Sequence, residues 1–219
     1  LIELAEEGRQ DFVTSHTGRG HSVLVPQIAL YLATEITPLW RASEAFLEAN
    51  NIAPPFWAFA WPGSEALARY VTDRPALVAG LKVLDFAAGC GLAAIAAAKA
   101  GAMVEAAEID PLACAAIALN AAANKCSVEV LEGDVVGKPC RWDVILTGDV
   151  CYEAPMTRHI LPWLRECAKH ALVIIADPGR AYTPVDGYQA IERFEVPTSL
   201  ELENSASRCV TLLRLHPQK

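Results

Sequence analysis

Three carboxylates fall at matching places in a repeating pattern. Asp85 lies near the end of the apolar run 81–86, Glu108 ends the run 102–108, and Asp134 follows the run 128–131. Between the first two, Gly89-Cys90-Gly91 leads into the alanine-rich segment 92–100. Glycines at such a turn let backbone approach a ligand closely, and in a chain of alternating strands and helices ligands bind at the carboxyl ends of the strands. Glu108 stands 23 positions beyond Asp85, where a carboxylate can accept both hydroxyls of a ribose. Asp134, with Val135 beside it, is placed to meet an adenine edge, and Asp85 would attract the amino group of a methionine moiety. Together these chemistries describe S-adenosylmethionine. The stretch 89–94 also fits G-x-G-x-x-A, which makes NAD the competing ligand. Two details weigh against NAD: the first glycine comes four residues after Asp85, and a carboxylate beside a pyrophosphate repels it.

These residues need a scaffold that repeats strand, turn and helix. Strands are expected at 81–86, 102–108, 128–131, 143–147 and 171–176, with helices at 92–100, 111–123 and 156–169. Pro111 suits a first helical turn, where its missing N–H costs nothing. Short apolar strands alternating with helices imply a mostly parallel, doubly wound sheet covered on both faces. Residues 193–196 and 208–215 have no helical pattern between them, which predicts an antiparallel edge hairpin at the C-terminal end. Upstream, apolar residues recur at helical spacing over 24–47, with Pro38 as a break, so residues 1–54 are read as an N-terminal helical extension and 55–219 as the catalytic domain. An aromatic loop over 52–61 leads into a helix beginning near Ser64.

Composition narrows the class. Hydrophobic residues make up 53% of the 219 and charged residues 20%, a balance that folds into a core. The richest apolar stretch, 86–98, is broken by glycines, ends at Lys99 and falls short of a membrane span. A net charge of -8 disfavours a nucleic-acid backbone as partner and favours a cationic protein. Seven scattered cysteines without a C-x-x-C pair read as reduced thiols of a cytoplasmic protein, with no metal site expected. The opening acids Glu3, Glu6, Glu7 and Asp11 match neither a basic signal peptide nor an acid-poor transit peptide.

Four segments carry a family resemblance: Pro55-Phe56-Trp57-Ala58-Phe59-Ala60-Trp61-Pro62-Gly63, Val83-Leu84-Asp85 with Gly89-Cys90-Gly91, Gly148-Asp149-Val150-Cys151-Tyr152, and Asp177-Pro178-Gly179-Arg180. Over roughly residues 24 to 215 the chain resembles the seven-strand, Rossmann-like methyltransferases that modify lysines of the electron transfer flavoprotein β subunit, within the wider D-x-x-Y group of protein-lysine methyltransferases. The resemblance implies a seven-stranded sheet, S-adenosylmethionine as cofactor and that β subunit as protein substrate. It implies acceptor-site roles for Asp149 and Tyr152 and a cofactor-pocket wall at Trp61. Cys90 and Gly148 join the cofactor set. The loop after Tyr152, with Glu153, Ala154 and Pro155, is less acidic than the family pattern. Asp177-Pro178-Gly179-Arg180 reads equally as a family mark and as a plain turn.

The implied reaction is attack of a lysine ε-amine on a methyl group. At an unperturbed pKa near 10.4, only about one lysine in 2500 is neutral at pH 7. Apolar walls would favour the neutral form, while Asp149 would capture and orient the amine and Tyr152 would align it. A small-molecule amine methyltransferase and a noncatalytic adenosylmethionine-binding protein share the cofactor residues and stay as alternatives.

Overall fold

The computed structural model describes residues 6–34, 37, 39 and 54–217. Helix α1 (Glu6–His16) leads into an antiparallel hairpin of β1 (Gly18–His21) and β2 (Ala29–Leu32). Helix α2 (Pro62–Asp73) follows the aromatic loop. The alternating part then runs β3 (Lys82–Phe86), α3 (Leu92–Lys99), β4 (Met103–Glu108), α4 (Pro111–Ala123), β5 (Glu129–Glu132), β6 (Val144–Gly148), α5 (Ala154–Cys167) and β7 (Leu172–Asp177). It closes with β8 (Tyr188–Pro197), a single-turn helix α6 (Leu200–Glu203) and β9 (Ser207–Leu215).

Seven strands form one sheet in the order β5-β4-β3-β6-β7-β9-β8. The first five of these pair in parallel, while β9 runs antiparallel to both β7 and β8. Alternate side chains feed two cores. Val83, Leu146, Ile174 and Leu212 pack under α2 and α3 with Leu67, Val71, Ala94 and Ala97. Leu84, Ile145, Val173, Ile175 and Leu213 pack against Ile160, Trp163 and Leu164 of α5. Burial on both faces explains why these strands read as continuous apolar runs. The chain reverses direction of growth between β3 and β6, so their carboxyl ends open a crevice.

The N-terminal region departs from expectation. Residues 29–32, where a helix was expected from position 24, form a strand, and the described segment 6–16 holds a helix the pattern did not reveal. The reason is tertiary. Asn120 near the end of α4 and Asn124, its C-cap residue, act as a partner for the β2 edge: Asn120 Oδ1 accepts from Tyr31 N at 2.7 Å, and Asn124 pairs with Ala29 N and O at 3.1 and 2.6 Å. Buried Glu65 of α2 holds the hairpin loop by accepting from Ser22 Oγ, Val23 N and Leu24 N. Residues 33, 34, 37 and 39 are not helical either, and the rest of the helical expectation, at 35, 36, 38 and 40–47, lies outside the described residues. The C-terminal edge pair is longer than expected and carries α6 between its strands.

Candidate active site

A cleft of about 960 Å³ opens at the carboxyl ends of β3, β4, β5 and β6. Glu108, at the end of β4, lines it. Its Oε2 accepts from Gly89 N at 3.0 Å and its Oε1 from Ile109 N at 2.8 Å. Burial pushes the Glu108 carboxyl above its usual range against those backbone donors. Gly89 has φ +54 and open space where a side chain would project, so its backbone faces the cleft. Ile109, exposed despite its size, lines the cleft with the apolar side chains of Ala113 and Val135. Asp110 caps α4 by accepting from Leu112 N at 2.8 Å, which fixes the turn that presents Glu108 and Ile109.

The expected cofactor residues separate into two groups. Trp61, Gly89, Glu108, Asp134, Val135 and Gly148 line the cleft, whereas Asp85, Cys90 and Gly91 do not. Asp85 is buried and its Oδ2 accepts from Ala94 N at 2.8 Å, which ties the end of β3 to the first turn of α3. Burial raises its pKa to about 8, so the acid is largely neutral at pH 7. The Cys90 thiol is buried and pushed up to about 12, and the residue instead offers its carbonyl to Asn120 Nδ2 at 2.9 Å. Gly91, at φ +76, packs so tightly on Ile117 that a Cβ would meet Ile117 Cγ2 at 3.1 Å. These three residues shape the loop from beneath.

Asp134 sits on the cleft wall, half-exposed, with Oδ1 accepting from Val136 N at 2.8 Å and Oδ2 lying 2.7 Å from His159 Nε2. Desolvation is the largest single effect and pushes it up, but the His159 and Val136 hydrogen bonds, with the nearby His159 and Lys138 charges, together outweigh it and hold the carboxyl below its usual range. An adenine edge reaching the Asp134 carboxylate therefore competes with His159. This histidine, 25 residues away in sequence, carried no local signal.

The other half of the cleft is aromatic and charged. Trp61 Nε1 donates to Phe56 O at 2.7 Å, and the rings of Phe56 and Trp61 lie 6.0 Å apart. Tyr152, 38% exposed, stands at the rim with its ring 5.9 Å from Phe56. Asp149 has φ +57, a left-handed conformation uncommon for a side-chain-bearing residue and characteristic of functional turns. Its N–H donates to Ala176 O at 3.0 Å. Its Oδ2 accepts from Gly63 N, and its Oδ1 accepts from Arg180 Nε at 2.9 Å and Nη2 at 2.6 Å. This is a correction to the simple capture role: the carboxylate already has partners from its own chain. Burial raises its pKa to about 6, with the Arg180 charge opposing. Gly63 and Gly148 make the arrangement possible, since a Cβ on Gly148 would lie 2.9 Å from Ser64 N. Arg180, the last residue of the Asp-Pro-Gly-Arg turn, also lies 5.8 Å over the Trp61 ring. The aromatic loop and that turn thus meet at Asp149, which sequence spacing could not show.

The donor set suits S-adenosylmethionine. Glu108 offers a carboxylate for a ribose diol, Ile109 and Val135 offer apolar faces for adenine, and Gly89 exposes backbone between them.

Comparison with known proteins agrees with this geometry. Residues 60–148 match the model of the methyltransferase small domain family. The chain is 34% identical over 210 residues to the electron transfer flavoprotein beta subunit lysine methyltransferase of Danio rerio, covering 91% of this chain and 80% of that protein. Against the protein of the same description from Xenopus laevis it is 37% identical over 177 residues, covering 78% and 71%. Among solved structures, the magnesium protoporphyrin IX methyltransferase of Synechocystis, determined with its cofactor bound, shares the fold with a TM-score of 0.53 at 18% identity, covering 69% of this chain and 80% of that one.

Proposed function

The chain belongs to the electron transfer flavoprotein beta subunit lysine methyltransferase family, and from that premise we propose that it methylates lysine ε-amino groups of the electron transfer flavoprotein β subunit. It is a methyltransferase that uses S-adenosylmethionine. The observation that carries the acceptor assignment is the D-x-x-Y element, which puts Asp149 and Tyr152 on the same cleft as Glu108 and Gly89.

Glu108 would receive the ribose hydroxyls on lone pairs left after Gly89 and Ile109 are served, and Ile109 and Val135 would offer apolar surface to the adenine. Asp85 acts indirectly, holding the loop to α3. When bound, S-adenosylmethionine would supply a sulfonium methyl open to attack at carbon by the amine lone pair, with the thioether sulfur leaving with the electrons of the broken C–S bond. Phe56, Trp61 and Tyr152 surround the acceptor side with aromatic surface, which strips water from the lysine and disfavours its charged form. Asp149 accepts an N–H of the amine and fixes the direction of its lone pair. The negative net charge of the chain favours encounter with a lysine-rich face.

The test is incubation of the protein and S-adenosylmethionine with purified electron transfer flavoprotein, followed by peptide mass mapping. Methylation is expected on lysines of the β subunit and to disappear in Asp149→Ala. Methyl transfer only to free amines, with every lysine of the flavoprotein unmodified, would replace this reading with the small-molecule one.

A further inference from the structure

An isolated carboxylate beside a lysine favours the ammonium form, whose nitrogen has no lone pair for a methyl group. Asp149 is not isolated. A carboxylate has about four lone-pair sites; two on Oδ1 take the Arg180 guanidinium, and one on Oδ2 takes Gly63 N from the first turn of α2. A single acceptor site remains, on Oδ2. That site takes one N–H, which leaves one further N–H to place for a neutral primary amine and two for an ammonium.

Arg180 is fixed on its other side as well. Its Nη1 and Nη2 donate to Glu203 Oε2 and Oε1 at 3.1 and 2.6 Å, and buried Glu203 also accepts from Arg208 Nε at 2.9 Å. Asp177, at the end of β7, accepts the Arg180 N–H at 2.9 Å and so sets the turn that delivers the guanidinium. The charges around Asp149 are therefore Arg180, Glu203 of α6, Arg208 of β9 and Asp177 of β7, with the N-terminus of α2 facing Oδ2. Arg180 pairs with both Asp149 and Glu203, and Arg208 pairs with Glu203, while Asp177 is bonded to the backbone N–H groups of Gly179 and Arg180; the cluster holds three acids against two guanidiniums, with Arg180 the cation in contact with Asp149. Burial pulls the Arg180 guanidinium toward its neutral form, but its two carboxylate partners outweigh that and raise its pKa.

Building on the lysine-methylation reading, we propose that Arg180 is a positioning residue that holds Asp149 in a direct ion pair as the acceptor of one hydrogen bond, so that the cleft takes the acceptor lysine as its neutral amine. The ammonium proton goes to solvent as the side chain enters. Tyr152, Phe56 and Trp61 add the apolar surroundings, and Arg180 removes the charge that would otherwise hold the proton in place.

The first test needs no substrate. The Asp149 carboxyl carbon is titrated by NMR in wild type and Arg180→Met, its signal assigned through Asp149→Asn. Its midpoint should rise by one pH unit or more in Arg180→Met, and an unmoved midpoint overturns the proposal. The second test is single-turnover methylation of the flavoprotein β subunit across pH. In Arg180→Met the acid limb should move at least one unit alkaline, a loss of tenfold or more below the limb that recovers above it, and Arg180→Lys should restore part of the shift. A loss equal at every pH, with adenosylhomocysteine affinity retained, would mean Arg180 provides shape alone and overturns the proposal. If Arg180→Met does not fold, Arg180→Gln carries both tests. Wild-type protein that transfers no methyl to any lysine refutes the lysine reading itself, a failure visible before any variant is compared.

Discussion

Replacing Glu108 with alanine removes the cleft carboxylate at the end of β4. Its Oε2 serves Gly89 N at 3.0 Å and its Oε1 serves Ile109 N at 2.8 Å and, weakly, Asp110 N at 3.4 Å. Of about four lone-pair sites, one or two are then left for a ribose diol. A hydrogen bond to a charged group contributes about 1.5–3 kcal/mol, so losing one such bond weakens adenosylhomocysteine binding about 10- to 150-fold. The fold should survive, because Gly89 faces open space and its freed N–H can turn to water. Glu108→Gln keeps one acceptor oxygen and should fall between the alanine variant and wild type. Isothermal titration calorimetry measures both, with NAD as a control that should give no binding heat. An unchanged dissociation constant in Glu108→Ala would remove this carboxylate from the cofactor site, and an unfolded variant would show that it serves the turn instead.

Two further perturbations probe the scaffold. In Gly63→Ala the new Cβ would sit 2.8 Å from both Ala176 O and Asp149 N; overpacking against backbone costs about 1–3 kcal/mol, so at about 2–4 °C per kcal/mol the thermal midpoint should drop by about 2–12 °C. A wild-type midpoint by calorimetry would show that α2 shifts freely over β6. Asp85 titrates at about 8 in the folded protein against 3.8 for the free group, so it stabilises the fold below pH about 4 and that contribution is lost as pH rises through about 8. Asp85→Asn keeps an acceptor for Ala94 N–H without titrating, so its stability relative to wild type should increase steadily from pH 4 to pH 8 in urea unfolding. A constant difference over that range would mean that Asp85 is charged throughout.

The alternating part of the fold was written in local pattern. Strand runs such as Lys82–Phe86 and Leu172–Asp177 are buried on both faces, so their apolar character is continuous, and α4 begins at Pro111 as proline chemistry requires. The positions of Glu108, Asp134 and Gly89 on the cleft follow from the same pattern, because strand ends in a parallel sheet converge on one edge. Pattern alone misread the N-terminal region. The β2 edge is completed by side-chain amides of Asn120 and Asn124 about 90 residues away, and no local periodicity encodes a partner at that distance. It could not separate Gly89, which faces the cleft, from Gly91, which faces Ile117, since the two differ only in what packs above them. Nor could it place Asp85 beneath the loop.

Asp149 shows the division most clearly. The family resemblance singled out a carboxylate and a tyrosine after the fourth parallel strand, and left the Asp-Pro-Gly-Arg turn after the fifth as a family mark or a plain turn. Only packing brings Gly63, Arg180 and Glu203 around one buried carboxylate. Hydrogen bonds of about 3 Å and the balance of charge in a desolvated site depend on the distances between chain segments. Those distances are set when the helix and strand ends close over the sheet.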